Sequence, residues 1–244
     1  MVRRKDRMKK VRPVHFLILT AFVLLSVGFS LTTWKMFEFR GRHHEIISNA
    51  RHEQTLAGSG MYDEHVIVFF GDSQIDLWWM APSFGALPIV NRGVSGDWAG
   101  KAVHRFDRDV LSLKPKLLIM LIGTNDIGNG RTVEEVVADI DDMLGRAAEQ
   151  NIPILLCSVL PVRGVYLENH PVEVLLRLNN GLKALSQKYN AGYVDFYSHL
   201  AGADGLLKKE YTSDGLHPSR LGYMEMTRVL LPHLLRDAAL FYQP

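Results

Sequence analysis

The 244-residue sequence contains one cysteine, Cys157. A lone thiol excludes an intramolecular disulfide and a cysteine-built metal site. Inside the apolar run Pro153–Val159 it reads as a buried strand residue. No His-x-His pair occurs anywhere in the chain, so the local ligand pairs that a metal-dependent phosphoesterase wants are missing, and no metal or organic cofactor is expected. There is no internal repeat and no low-complexity stretch, which sets aside solenoids and disordered chains. A basic stripe is lacking as well. The formal net charge is +2, yet seven Lys or Arg and only one Asp crowd into residues 1–12, so the remaining 21 basic and 25 acidic side chains make the body mildly acidic. That distribution argues against a nucleic-acid partner. With 47% apolar and 22% charged residues, what is left is an ordinary globular chain, long enough for one substantial domain.

The absence of charge between residues 13 and 34 is informative in itself. From Val14 to Thr33 the chain runs VHFLILTAFVLLSVGFSLTT, 20 residues interrupted only by His15 and a few hydroxyls. At about 1.5 Å per helical residue it spans the roughly 30 Å hydrocarbon layer of a bilayer. The basic cluster precedes it, and fewer positive residues (Lys35, Arg40, Arg42) follow. This asymmetry makes residues 1–13 a cytoplasmic tip and 14–33 a transmembrane anchor, with everything from Trp34 onward on the extracytoplasmic, periplasmic side. A cleaved signal peptide is the competing reading, with Ser26-Val27-Gly28 or Gly28-Phe29-Ser30 as a small-residue cleavage site. Residues 34–61 read as a stalk and linker, and residues 62–244 as the folded domain.

Within that domain short apolar runs of strand type fall at His65–Phe70, Leu87–Asn91, Lys116–Ile122, Pro153–Val159 and Tyr193–Phe196. Helical patterns alternate with them. Ala99, Val103, Phe106 and Val110 share one face after Asp97. Thr132 and Glu135 form a capping box ahead of Val136, Val137, Ile140, Met143 and Leu144. Pro171 opens a helix carrying Val174, Leu175, Leu178, Leu182 and Leu185. Ser219 caps the last helix, with Leu221, Met224 and Leu231 expected on its inner side. Continuous apolar strands alternating with helices predict a parallel sheet covered on both faces, a three-layer α/β/α sandwich.

Open parallel sheets gather ligands beyond the carboxyl ends of their strands. There the sequence places Gly71-Asp72-Ser73-Gln74 after the first strand, Asn91-Arg92-Gly93-Val94-Ser95-Gly96-Asp97 after the second, and Gly123-Thr124-Asn125-Asp126 after the third. Asp214-Gly215-Leu216-His217-Pro218 precedes the last helix. Ester hydrolysis through a covalent intermediate needs a nucleophile, a base, an acid that orients the base, and donors aimed at the oxyanion. Ser73 at a strand-to-helix turn suits the first role, His217 the second and Asp214 the third. The backbone N–H groups of Ser73 and Gly93 and the Asn125 amide are the candidate oxyanion donors. Alone, Gly-Asp-Ser and Asp-x-x-His are weak signals; the weight lies in four blocks arriving in order at strand ends.

Over about residues 65–225 these blocks resemble the GDSL-type, or SGNH, serine hydrolases, named for the Ser, Gly, Asn and His of four such blocks. The resemblance implies a flavodoxin-like fold, with Ser73 as nucleophile, Gly93 and Asn125 in the oxyanion hole, and Asp214 and His217 completing a triad. Gln74 departs from the Leu or Ile that many members carry after the serine. The Gly-x-Ser-x-Gly elbow of the α/β-hydrolases is absent. The implied activity is hydrolysis of carboxylic esters, with a lipid or an O-acetylated carbohydrate as substrate. Acyl transfer to an envelope polysaccharide by the same triad, or a non-catalytic binding module, are the alternatives. Asp72 and Asp126 flank the site and are expected to fix loop hydrogen bonds rather than do chemistry. Trp78, Arg163 and Tyr166 are the candidate substrate contacts.

Overall fold

The structure, a computed structural model, describes residues 66–85 and 87–237. The proposed tip, anchor and stalk (1–13, 14–33 and 34–61) lie outside the described residues. Among those described, no helix is long and apolar enough to cross a membrane.

Five parallel strands form one sheet: β1 (Ile67–Gly71), β2 (Ile89–Gly93), β3 (Leu117–Leu121), β4 (Ile154–Cys157) and β5 (Gly192–Val194), in the order β2-β1-β3-β4-β5. Around it lie α1 (Ser73–Asp76), α2 (Met80–Phe84), α3 (Ala99–Asp109), α4 (Thr124–Gly128), α5 (Val133–Glu149), α6 (Val172–Lys188), α7 (Phe196–Leu200) and α8 (Arg220–Asp237). Strand side chains alternate between faces, and the two cores follow this alternation. Val68, Phe70, Leu118, Met120, Ile154 and Leu156 join Phe106 of α3, Ile140 of α5 and Leu178 of α6 in one buried cluster. Ile67, Phe69, Leu117, Ile119, Leu155 and Cys157 join Trp78, Phe84 of α2, Phe196 of α7 and Met226 of α8 in the other. Every interior strand is apolar on both faces because helices cover both. The result is the expected three-layer α/β sandwich.

This strand order reverses direction between β1 and β3, the switch point at which doubly wound sheets leave a crevice. The registers Gly71↔Gly93 and Gly71↔Leu121 bring the ends of β2, β1 and β3 level. The loops that follow them therefore emerge side by side.

Local signals mostly act as their chemistry dictates. The Thr132 hydroxyl accepts the Glu135 N–H while the Glu135 carboxylate accepts the Thr132 N–H, the reciprocal cap expected. Pro171 stands one residue outside α6, as its cap. The fifth strand ends at Val194, short of the expected Phe196, because the Asp195 carboxylate caps α7 through the Ser198 N–H at 3.1 Å. The last helix departs further. Met226, Leu230 and Leu234 face inward, whereas Leu221, Met224 and Leu231 are exposed. That correction has a plain cause: α8 carries two apolar stripes.

Candidate active site

Ser73 is the first residue of α1. The cap of that helix is Asp72, whose Oδ1 accepts the Gln74 N–H at 2.9 Å, so the serine hydroxyl is not spent on capping. The hydroxyl meets His217 Nε2 at 3.0 Å, across 144 residues of sequence. His217 Nδ1 lies 2.7 Å from Asp214 Oδ2. The other carboxylate oxygen, Oδ1, accepts the backbone N–H groups of Leu216 (2.9 Å) and His217 (2.8 Å). Partial burial pushes the Asp214 pKa up, but the hydrogen bonds from the His217 ring and from the Leu216 and His217 N–H groups outweigh it and bring the pKa down to about 2. Asp214 is therefore a carboxylate at neutral pH.

Thr212, which the sequence reading passed over, holds this loop in shape. Its hydroxyl accepts the Gly215 N–H at 2.9 Å and donates to the His217 carbonyl at 2.8 Å. A Thr two residues before an Asp, inside a tight loop, is the side-chain-to-backbone turn pattern that could have marked it.

Two loops close the other side of Ser73. The Asn125 Nδ2 donates to the Asp97 carbonyl at 2.7 Å, clamping the loop after β2 against α4. Gly93 does not occupy the expected place. Its N–H donates to Asn91 Oδ1 at 2.8 Å, while Asn91 Nδ2 donates to the Ile75 carbonyl at 2.8 Å, so this donor is committed to stapling β2 onto α1. Glycine is required at 93 for packing: a Cβ would stand 2.1 Å from the Asp76 nitrogen. The glycine with open space above it is Gly96, at φ +80° on the loop that Asn125 clamps. The N–H groups of Ser73 and Gly96 meet no acceptor among the described residues.

Asp72 and Asp126 do fix the surrounding loops. Asp126 accepts the Ala99 N–H at 2.8 Å and Arg131 Nη1 at 2.7 Å. Burial pushes the Asp126 and Asp97 carboxyls up, against the pull of Arg131 and Arg105 respectively. For Asp72 burial dominates, with Asp97 and Asp126 adding to it; the Gln74 hydrogen bond and Arg105 only partly oppose the rise, which reaches about 7. Cys157 is buried and desolvation raises its thiol pKa, which suits a core residue and not a nucleophile.

The three candidate substrate contacts are placed otherwise. Trp78 is only 2% exposed, packed edge-on to Phe69 and donating its Nε1–H to Thr227 Oγ1 at 3.3 Å, so it belongs to the core. Arg163 spends its Nε on the Leu207 carbonyl and its backbone N–H on the Gly215 carbonyl at 2.8 Å. It buttresses the Asp214–His217 loop. Tyr166 lies half-buried against the core, beside the His170 ring, and its carbonyl accepts His170 Nδ1–H at 2.9 Å. Among the described residues no group of His, Cys, Asp and Glu is arranged to hold a metal.

A relay from an exposed carboxylate through an imidazole to a buried hydroxyl, at a strand end beside unspent donors, has the parts for acyl transfer. Sequence comparison bears on the chemistry directly. The GDSL-like lipase/acylhydrolase family profile matches residues 69–224, well over half of the chain. The chain belongs to that family. It is an ester hydrolase. Human platelet-activating factor acetylhydrolase IB subunit alpha1 is 27% identical over 208 residues, covering 80% of this chain and 81% of the relative. An acetylxylan esterase from Geobacillus stearothermophilus is 24% identical over 163 residues, covering 62% and 73%. Among solved structures, a GDSL-like lipase from Bacteroides thetaiotaomicron shares the fold with a TM-score of 0.68, at 24% identity, over 77% of this chain and 98% of that one.

Proposed function

We propose that the chain hydrolyses carboxylic esters with Ser73 as nucleophile, His217 as general base and Asp214 as the carboxylate that orients the ring. The observation that carries this is the continuous relay of 3.0 Å and 2.7 Å from hydroxyl to imidazole to carboxylate. His217 Nε2 takes the Ser73 proton as the oxygen attacks the acyl carbon, then returns it to the departing alcohol; water releases the acyl group by the same route in reverse. The Ser73 N–H, the Gly96 N–H and the Asn125 amide are the donors for the oxyanion, Gly96 taking the place first given to Gly93. The names of the relatives, one an acetylhydrolase and one an acetylxylan esterase, fit a carboxylic ester as substrate. The uncharged run 14–33 behind its basic cluster supports an uncleaved membrane anchor with the domain on the extracytoplasmic side.

One experiment addresses both parts. Cells expressing the chain are fractionated and treated with a fluorophosphonate probe. The expected result is a full-length band labelled at Ser73 in the membrane fraction, absent from Ser73→Ala, which also loses ester turnover. Labelling elsewhere, or turnover surviving in Ser73→Ala, refutes the triad. A shortened, labelled product in the soluble fraction refutes the anchor.

A further inference from the structure

Four hydrogen bonds leave the guanidinium of Arg105, and three of them end on the segments that meet around Ser73. Arg105 lies on α3 with its side chain only 12% exposed and its Cζ 4.2 Å from the centre of the Phe70 ring. Nη2 donates to the carbonyl of Gly71, two residues before Ser73, at 2.9 Å. Nη1 donates to the Arg92 carbonyl near the end of β2 at 3.0 Å, and to Asp109 Oδ2 at 2.9 Å. Nε donates to Asp97 Oδ2 at 2.7 Å, and the backbone carbonyl of the same Asp97 accepts Asn125 Nδ2 at 2.7 Å. One rigid, planar group thus grips the end of the first strand, the end of the second and the loop beyond it.

Between those grips lies Gly96. It stands third in the turn 94–97, which the Asp97 N–H closes on the Val94 carbonyl at 3.0 Å, and its φ of +80° is the value that a type II turn requires there. The residues around it in the turn are all held. The Val94 N–H donates to the Gly71 carbonyl at 3.0 Å, the Ser95 hydroxyl donates to Asp76 Oδ2 at 2.5 Å, and Asp97 is taken by Arg105 and Asn125. Gly71 and Asp76 flank Ser73 in the chain, so the turn is referenced to Ser73 from both sides. The Gly71 carbonyl serves twice, accepting Val94 N–H and Arg105 Nη2 together.

Stability gives little reason for such a group. Taking an arginine and an aspartate out of water costs about what their attraction returns, and a well-packed apolar pair would serve a core as well. What a fork with fixed donor directions supplies is spacing. Donors to an oxyanion must reach one oxygen together, each at about 2.7–3.1 Å. A displacement of about 1 Å, even one caused from a distance, costs a reaction about 10²-fold. Resting on the triad reading above, we infer that Arg105 is a positioning residue of the oxyanion site: through Asp97 and the Gly71 carbonyl it sets the Gly96 N–H, the Asn125 amide and the Ser73 N–H around one point, without itself touching substrate.

A double-mutant cycle of Arg105→Lys and Asn125→Ala on the full chain tests this, read as kcat and KM with p-nitrophenyl acetate. Lysine keeps the charge but is a point donor that cannot reproduce the fork. Arg105→Lys is expected to lower kcat about 10²-fold, with KM unchanged and the pH dependence of kcat unmoved, because His217 and Asp214 keep their contacts. In the Asn125→Ala background the same substitution costs less than about tenfold, since one of the donors it sets is already gone. Damage unrelated to the oxyanion site multiplies equally in both backgrounds. Asp97→Ala cuts the link to Arg105 and keeps the carbonyl that Asn125 grips; it lowers kcat in the same way, and it enters the cycle in place of Arg105→Lys where that variant does not fold. The positioning role is overturned, with the triad left standing, by a kcat within about threefold of native in either folded variant, by a loss carried in KM, by equal costs in the two backgrounds, or by failure of both variants to fold. A native chain no more active than Ser73→Ala sinks the triad reading and the positioning role with it.

Discussion

Asp214→Asn isolates the part of the proposed triad that acts through proton placement alone. In the native loop Oδ1 accepts the N–H groups of Leu216 and His217 at 2.9 and 2.8 Å. An asparagine in the same rotamer must put its amide oxygen there, because an NH2 group would face donors. Its NH2 then falls where Oδ2 was, 2.7 Å from His217 Nδ1, and donates to it. Nδ1 becomes an acceptor and the ring proton moves to Nε2, which now points an N–H at the Ser73 hydroxyl instead of a lone pair. The base is lost without moving an atom. The equivalent change in a well-studied serine protease lowers kcat by about 10⁴, or about 5 kcal/mol of transition-state stabilisation, and a fall of that order is expected here with p-nitrophenyl acetate at neutral pH. Stability should change little. The depressed pKa of Asp214 gives stability that is present above the ordinary value of 3.8 and lost as pH falls through about 2. The side chain is 43% exposed, so solvent screening keeps that contribution small. A folded Asp214→Asn enzyme within tenfold of the native kcat would refute the reasoning and require another acceptor for the Nδ1 proton.

Two further predictions concern the groups around Ser73. Burial holds the Asp72 pKa at about 7 in the fold against an ordinary 3.8, so between those values the folded chain keeps a proton that the unfolded chain releases, and stability falls as pH rises through that window. Asp72→Asn carries no such charge; its Tm relative to the native protein should climb from pH 5 to pH 8 by on the order of 5 °C, for about 3 kcal/mol of linkage, and a difference independent of pH would show that Asp72 ionises freely. Asn125→Ala removes both the amide donor and the 2.7 Å clamp on the Asp97 carbonyl. It should lower kcat by about 10²–10³ with little change in KM; a loss under threefold would take Asn125 out of the oxyanion site.

The features legible in the sequence were those whose physics is local or whose context is symmetric. Continuous apolar strands say that both faces are covered without saying by what, and the capping box of Thr132 and Glu135 closes on itself within one turn. That Ser73, His217 and Asp214 meet was legible because a serine after the first strand and an Asp-x-x-His before the last helix have few other reasons to coexist with an Asn block. What was misread depended on choices between near-equivalent neighbours. Trp78 and Trp79 differ by one position, yet the turn after α1 sends one into the core and the other out to solvent. Gly93 and Gly96 are three apart. Only the Asn91 side chain, turned back onto the first of them, shows which N–H is already spent. Helix α8 is the clearest case, since residues 221, 224, 231 and 235 and residues 226, 230 and 234 obey the same 3.6-residue period. Periodicity fixes the spacing of a stripe but not the rotation of the helix about its axis. Here the rotation is set by distant contacts, the Tyr223 hydroxyl on the Gln74 carbonyl and the Thr227 hydroxyl under the Trp78 ring nitrogen. Those same two bonds tie α8 to the segment that follows Ser73, so the rotation that turns one stripe outward is fixed by residues 149 positions away in the chain, beyond the reach of any local pattern.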